Sequence, residues 1–487
     1  MDFTRDIYRG SLSLFTDLYQ LTMAYAYWKE GIAEKESVFN LFFRENPFHG
    51  GYTITCGLGY VIDFLNHFSF SPADLEFIRQ LENPNGTRMF DKAFTDYLGK
   101  MEFCCDIDAI PEGRAVFPNE PLVRVRGPIL QAQLIESALL NMINYQSLVA
   151  TKAARISEAA HGEKVLEFGL RRAQGIDGAL CASRAAYIGG CSATSNVMAG
   201  RLFEIPVAGT HAHSWVMAFD HEIDSFKSYA RHLPDNCIFL IDTYDTIQGV
   251  KNAMEVGKIL EAQDKHLIGV RIDSGDLAYF SNEVRRLLDE GGFEKTLIVA
   301  SNNLDEYLVA SLQEQQSAID IWGIGTKLVT GFDQPALGGV YKLAAIKNGS
   351  GWDYKIKLSE QAAKINNPGV QQVRRFFKGG VFVADMIYDI NINVEITQVI
   401  IDPVDHTRRK NINATKFEDL LVPIFRSGTA VYQQPDIHTI RDRVKIELSQ
   451  LDQSIKRLVN PHQYSVGLEK NLYDLKTELV LNLRKLK

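Results

Sequence analysis

No C-x-x-C pair occurs in this chain of 487 residues. Its six cysteines stand scattered at positions 56, 104, 105, 181, 191 and 237, an arrangement that argues against a structural zinc site. No run of 18 apolar residues is present, so no membrane span is expected. The opening stretch MDFTRDIYRGSLSLFTDLYQ carries charge and no apolar h-region, which argues against a secretory signal. Basic residues are not in excess, and the formal net charge is −8. Nucleic acid is therefore not expected as the main partner, although a local cluster of arginines would suffice for a small phosphorylated substrate. There is no short-period repeat and no low-complexity linker. These absences together imply a cytoplasmic protein with reduced thiols.

What is present is a globular composition, 46% apolar and 23% charged, with length enough for two or three domains. TDLYQLTMAYAYWKEG (16–31) predicts a helix with Thr16 as its N-cap and Gly31 as its stop. SVFNLFFREN and VFPNEPLVRVRGP predict strands, and 131–162 predicts a long helix ending at a glycine. From residue 163 the texture changes. Short apolar runs (KVLEFG, EIPVAGT, CIFLIDT, LIGVRID, TLIVASNN, IDIWGIGT) recur, with amphipathic helical stretches at 246–263, 277–292 and 304–316 between them. That alternation means βα units and a parallel sheet. Polar residues gather where nearly every run ends: GLRR, GTHAHS, DTYDT, DSGD, SNN and GTK. In an α/β barrel these ends converge on one face, whereas an open sheet would concentrate them at a single switch point. We therefore expect an α/β protein with a barrel over 151–345, packed against an N-terminal α/β domain over 1–150. The segment 346–487 is expected as an appendage that completes the N-terminal domain.

His211 and His213, in VAGTHAHSWV, are two of only 11 histidines. An H-x-H on a strand puts both side chains on one face, which is a metal geometry. No carboxylate lies at helical spacing, however, and HEIDS (221–225) lacks the second histidine of H-E-x-x-H. A phosphate or acid/base role and a plain structural pair both stay open. Arg171 and Arg172, in EFGLRRAQG, can clamp a pyrophosphate or carboxylate, or form surface ion pairs. In VRIDSGDL, Arg271 and Asp273 share a strand face and Asp276 can cap the next helix. An acid beside an arginine suits a sugar diol and a magnesium-bound polyphosphate; a mere capped turn is the alternative. GIGTKLVTG (323–331) and LGGVYK (337–342) offer glycine-rich backbone to a phosphate. Neither is a P-loop or a G-x-G-x-x-G, but both fall late in the barrel, where barrel enzymes place phosphate sites. Tyr19, in DLYQLTM, offers a stacking ring.

TDLYQLTM, EFGLRRAQG, VAGTHAHSWV, GVRIDSGDL, GIGTKLVT and LGGVYKL, in this order across 16–343, together resemble the nicotinate phosphoribosyltransferase family. The later KLSE…KINNPGVQQVRR extends the resemblance. It implies a type II phosphoribosyltransferase fold, an irregular α/β barrel beside an α/β domain, in a homodimer with active sites at the subunit interface. It implies that phosphoribosyl pyrophosphate and nicotinate give nicotinate mononucleotide and pyrophosphate, coupled to ATP hydrolysis with Mg2+. The family's G-T-x-x-H-S motif, with its phosphorylated histidine, falls on Gly209, Thr210, His213 and Ser214, so His213 is the implied phosphate acceptor and His211 has no assigned role. The resemblance gives Arg171, with Arg172 beside it, to the pyrophosphate, and Arg271 and Asp273 to the phosphoribosyl group. Gly323, Gly325, Thr326, Gly338 and Gly339 would cradle the 5′-phosphate. Tyr19 of the other subunit and Phe168 would sandwich the pyridine ring, and Thr210 would place its carboxylate. Ser214, Ser195 and Thr330 complete the implied substrate-binding set. The ring nitrogen of nicotinate is already a nucleophile, so such an enzyme needs positioning and electrostatic stabilisation rather than a strong base.

Three rivals follow from the same residues. A nicotinamide-preferring relative would carry an Asp in SATSNV, where Ser195 stands and would not repel an acid. A barrel aldolase or isomerase would use Lys327 as a Schiff base. A non-catalytic relative would show decay of the Arg/Asp/His set, which here is intact.

Overall fold

The computed structural model describes residues 10–361, 364–392, 399–405, 407–414 and 416–485. The chain divides into two compact units. One comprises 1–147, 336–436 and 445–487; the other comprises 148–335 and 437–444. The boundaries differ from the expected 151–345 in two ways. The second unit stops at Pro335, so Gly338 and Gly339 belong to the first, and a late segment, 437–444, joins the second.

The first unit is built on largely antiparallel sheets, with one parallel pair, Val381–Asp389 with Val466–Leu468. Seven strands lie in the order Gly351–Tyr354, Val340–Asn348, Glu36–Phe42, Val123–Pro128, Asp106–Ala109, Val422–Arg426 and Thr429–Ala430. Six of the seven residues of ESVFNLF are buried, because this central strand is covered on both faces. A second, six-stranded sheet is drawn from 371–468. A fully buried Arg375 there meets Asp385 at 2.6 Å and Glu447 at 3.1 Å. The expected helix at 16–31 is Leu18–Lys29, but Thr16 is not its cap. Asp17 holds that position, while the Thr16 hydroxyl donates to Leu134 O at 3.2 Å. Gly31, at φ +69, ends the helix as expected.

The second unit holds the parallel sheet: β1 (Lys164–Glu167), β2 (Ala193–Thr194), β3 (Ile238–Leu240), β4 (Gly269–Ile272), β5 (Leu297–Asn302) and β6 (Ile321–Ile324), in the order β2-β1-β6-β5-β4-β3. Its helices are α1 (Gly175–Gly189), α2 (Val197–Phe203), α3 (His213–Met217), α4 (Glu222–His232), α5 (Thr246–Glu261), α6 (Leu277–Glu290), α7 (Glu306–Glu314) and α8 (Thr326–Val329). Val165, Val270, Ile272, Ile298 and Ile324 are buried between strands and helices, and Val299, in register with Arg271, is buried on the opposite face. Each contributes about 1.5–3 kcal/mol by leaving water. EIPVAGT was expected as a full strand, but it contributes only a single parallel bridge, Thr194 to Val207. β2 and β3 form no ladder with each other among the described residues, so the barrel is irregular, with a seam on that side.

Three βα turns share one device. Asp245, Asp276 and Asp305 accept backbone N–H groups from Gln248, Tyr279 and Leu308 at 2.7, 3.0 and 2.9 Å, capping α5, α6 and α7. Each follows the end of a strand, so these carboxylates serve the helices. No helix among the described residues is long and apolar enough to cross a membrane.

Candidate active site

The strand ends of the second unit bring Thr210, His213, Asp242, Arg271, Asp273 and Ser301 together. Arg271 is the hub. Its Nε donates to Ser301 Oγ at 2.7 Å, one terminal nitrogen to Thr210 Oγ1 at 3.0 Å, and the other to Asp273 Oδ1 at 2.8 Å. Its guanidinium lies 5.7 Å from the centroid of the Phe168 ring. Ser301 in turn donates to Asp273. Burial pushes Asp273 towards neutrality, but the Ser301 hydrogen bond and the charges of Arg271 and His213 prevail and hold its carboxyl below the usual range. The site thus keeps an ionised carboxylate beside a fixed cation.

The two histidines do not share a strand face, which corrects the expected geometry. His213 opens α3, with Nδ1 3.2 Å from Thr243 Oγ1 and Nε2 3.8 Å from Asp273 Oδ2. His211 turns inward against Phe226, Tyr229 and Phe239. Its Nε2 accepts the Leu240 N–H at 3.3 Å, and burial pushes its pKa down to about 4. His211 is therefore a neutral side chain that bonds the loop before α3 to the edge strand β3. Ser214 follows His213 on α3 and is exposed.

Phe168 owes its place to Gly323. A Cβ on Gly323 would lie 2.8 Å from the Phe168 ring. Gly323 sits inside β6, paired with Ser301 and Leu166, so its backbone is part of the sheet. Gly325 and Thr326 follow at the start of α8, where the Thr330 hydroxyl donates to Thr326 O at 2.7 Å. Arg171 and Arg172 form an exposed 3-10 turn with Leu170. Ser195 donates its N–H to Glu167 O at 2.9 Å and lines an apolar cavity of about 460 Å³ with Leu170, Ile176, Val197 and Met198. Tyr19, Gly338 and Gly339 lie in the first unit; Tyr19 stands half exposed on Leu18–Lys29. Lys327, the Schiff-base alternative, is committed to an ion pair with Asp305 at the foot of α7.

Sequence reasoning passed over Asp242, Thr243 and Ser301, although DTYDT and SNN mark their strand ends. Asp242 Oδ2 accepts from Asp273 N at 2.9 Å and Ser274 Oγ at 2.6 Å. Its Oδ1 is buried with no hydrogen-bond partner. Among the described residues no group of three or more His, Cys, Asp or Glu could hold a metal alone. An orphan carboxylate oxygen near Asp273 fits instead a hard divalent cation whose other ligands arrive with a substrate.

A parallel sheet with cationic and acidic groups on its strand ends in one unit, and largely antiparallel sheets drawn from both ends of the chain in the other, define a type II phosphoribosyltransferase fold. The chain aligns with the crystal structure of human nicotinic acid phosphoribosyltransferase at a TM-score of 0.84 and 32% identity, covering 95% of this chain and 99% of that one. It shares the fold of the nicotinate-nucleotide pyrophosphorylase from Pyrococcus furiosus, with a TM-score of 0.69, 20% identity and coverage of 90% and 96%. Residues 14–144 match the nicotinate phosphoribosyltransferase N-terminal domain, 164–365 the nicotinate phosphoribosyltransferase family, and 370–476 the C-terminal domain. The nicotinate phosphoribosyltransferase of Bacillus subtilis is 44% identical over 478 residues, 96% of this chain and 95% of that protein. The chain belongs to the nicotinate phosphoribosyltransferase family.

Proposed function

We propose that this protein transfers the phosphoribosyl group of phosphoribosyl pyrophosphate to nicotinate in NAD biosynthesis, and that ATP drives the transfer through a phosphohistidine at His213. The pyridine nitrogen attacks the anomeric carbon; the bond to pyrophosphate breaks, and the pyrophosphate leaves with the electron pair. Positive charge then builds on the ribose. The observation that carries this reading is the Arg271–Asp273–Ser301–Thr210 network: an ionised carboxylate and a guanidinium fixed on strand ends, ready for a sugar with charged phosphates. Asp273 takes the ribose hydroxyls, Arg271 and Arg171 take the phosphates, and Gly325 and Thr326 take the 5′-phosphate. Phe168 and Tyr19 of a second copy sandwich the base. Asp242 and Asp273 would hold Mg2+ together with the pyrophosphate; when bound, it neutralises charge on the leaving group.

In the coupled step the His213 imidazole attacks the γ-phosphorus of ATP, the bridging P–O bond breaks, and ADP leaves. Water later cleaves the N–P bond, releasing phosphate and restoring the imidazole. The added charge beside Asp273 and Arg271 gives the two forms different affinities for substrate and product. Ser195 favours the acid over the amide, since no carboxylate stands there to repel nicotinate.

A homodimer fits the exposed apolar side chains of each unit: Leu12, Phe15, Leu18 and Tyr19 in the first, and Leu170, Ile176, Val197 and Met198 in the second. All six cysteines are free, in keeping with a cytoplasmic enzyme. Steady-state assays with nicotinate and with nicotinamide, each with and without ATP, test the reading. Nicotinate turnover stimulated by ATP is expected; preference for the amide would overturn it. Incubation with ATP labelled in its γ-phosphate should leave acid-labile label on His213, and equal label in His213→Ala would reject the phosphohistidine.

A further inference from the structure

Glu167, the last residue of β1, is fully buried and forms no ion pair among the described residues. A charge so placed is tolerated only when hydrogen-bond donors surround it. Three do. Gly169 N donates to Oε1 and Thr194 Oγ1 from β2 to Oε2 at 2.5 Å, while Ser183 Oγ from α1 donates to Oε2 at 2.8 Å and shares that proton with Ala179 O at 3.0 Å. Both hydroxyls carry the connection further. Asn196 Nδ2 donates to Ser183 Oγ at 3.1 Å, and Asn196 N donates to Thr194 Oγ1 at 3.0 Å. Asn196 also caps α2 by accepting from Ala199 N at 3.2 Å. The Glu167 main chain adds the bond to Ser195 N. One carboxylate therefore fixes the backbone on both sides of Phe168 and Ser195.

Successive side chains along a strand point to opposite faces. Glu167 turns towards α1 while Phe168 turns into the space left by Gly323. We propose that Glu167 is a positioning residue for the base: without touching substrate, it sets the wall formed by Phe168 and Ser195. This rests on the reading that nicotinate lies against Phe168. The chemistry requires a carboxylate. Only an acceptor-only group takes all three donors; a glutamine must turn its NH2 towards Gly169 or towards the two hydroxyls and leave donors unpaired. An aspartate is a methylene too short.

The experiment compares Glu167→Gln, Thr194→Val and Phe168→Ala by kcat, the KM of each substrate and thermal melting. Glu167→Gln should raise the nicotinate KM about tenfold or more, with the phosphoribosyl pyrophosphate KM within about twofold. Thr194→Val should do the same more weakly, and the double variant should fall short of the product of the two. A lowered melting temperature with both KM values unmoved would reduce Glu167 to a structural role and overturn the inference. If Glu167→Gln does not fold, the KM split in Thr194→Val decides alone. Phe168→Ala separates the two layers. Should it leave the nicotinate KM unchanged, the placement of the base is wrong. Should it raise that KM while Glu167→Gln does not, the placement stands and Glu167 is not its anchor.

Discussion

The carboxyl edge of the parallel sheet has two unlike sides. At β3, β4 and β5 the polar groups are tied to one another, Asp242 Oδ1 excepted: Arg271 makes three side-chain bonds, and Asp242 holds the turn after β4 by two. Near β1 and β2, Arg171 and Arg172 stand exposed on a 3-10 turn beside an apolar cavity, and among the described residues their side chains make no hydrogen bond or ion pair. Charge stabilisation in a transition state works best when the dipoles need no reorganisation. The tied side meets that condition before any ligand arrives. The loose side does not, and leaves its two guanidinium groups free to move in solvent.

Substitutions should separate the two sides. The largest effect is expected at Arg271. Arg271→Ala strips Asp273 of its cation and Thr210 of its donor, and kcat/KM in nicotinate mononucleotide formation should fall roughly 10³-fold. A fall below tenfold would erase the distinction between the sides. Next comes Gly323→Ala, whose Cβ would sit 2.8 Å from the Phe168 ring. The ring must shift, and a displacement on the order of 1 Å is worth about 10²-fold in rate, visible mainly in the KM for nicotinate. Arg171→Ala should act on the loose side alone: about tenfold in the KM for phosphoribosyl pyrophosphate, with melting temperature unchanged. A destabilised Arg171→Ala would show hidden ties on that side.

The smallest effect is on stability. Burial holds His211 neutral down to about pH 4, against an ordinary value of 6.5. Between these values the unfolded chain binds a proton that the folded protein refuses. The contribution is therefore complete above pH 6.5 and declines as the pH falls towards 4, by at most about 3 kcal/mol. Denaturant unfolding at pH 7 and pH 5 should show this loss in the parent and a smaller one in His211→Asn.

Much of this was legible in the sequence, for a physical reason. Apolar runs alternating with amphipathic helices fix a parallel sheet, and polar residues at the run ends fix where chemistry sits. The spacing D-x-x-D was legible only in part. In DSGD, Asp273 was read as a ligand and Asp276 as a cap; Asp276 does cap α6, and Asp273 turns to Arg271 instead of a helix. The same spacing in DTYD, with Asp242 turned to the β4 turn and Asp245 to α5, went unread. What no spacing reveals is direction. His211 and His213 look like one pair in a row of letters, yet the chain stays extended at Ala212 and turns helical at His213, and they face apart. Glu167 likewise looked like part of a strand, because a buried acid held by Ser183 and Thr194 depends on partners that only the fold brings near.

The bond from Leu240 to His211 bears on how substrates enter. Where β3 lacks a neighbouring strand, a side chain takes the place of the missing backbone acceptor. The loop carrying Thr210 and His213 is thereby stitched into the wall of the barrel. It cannot lift like a flap without breaking that stitch and exposing the aromatic cluster of Phe226, Tyr229 and Phe239 to water. The turns that follow β1 and β4, where Arg171 and Ser274 are exposed, carry no such stitch, so His213 is held at a fixed berth while the chain around it stays open to solvent.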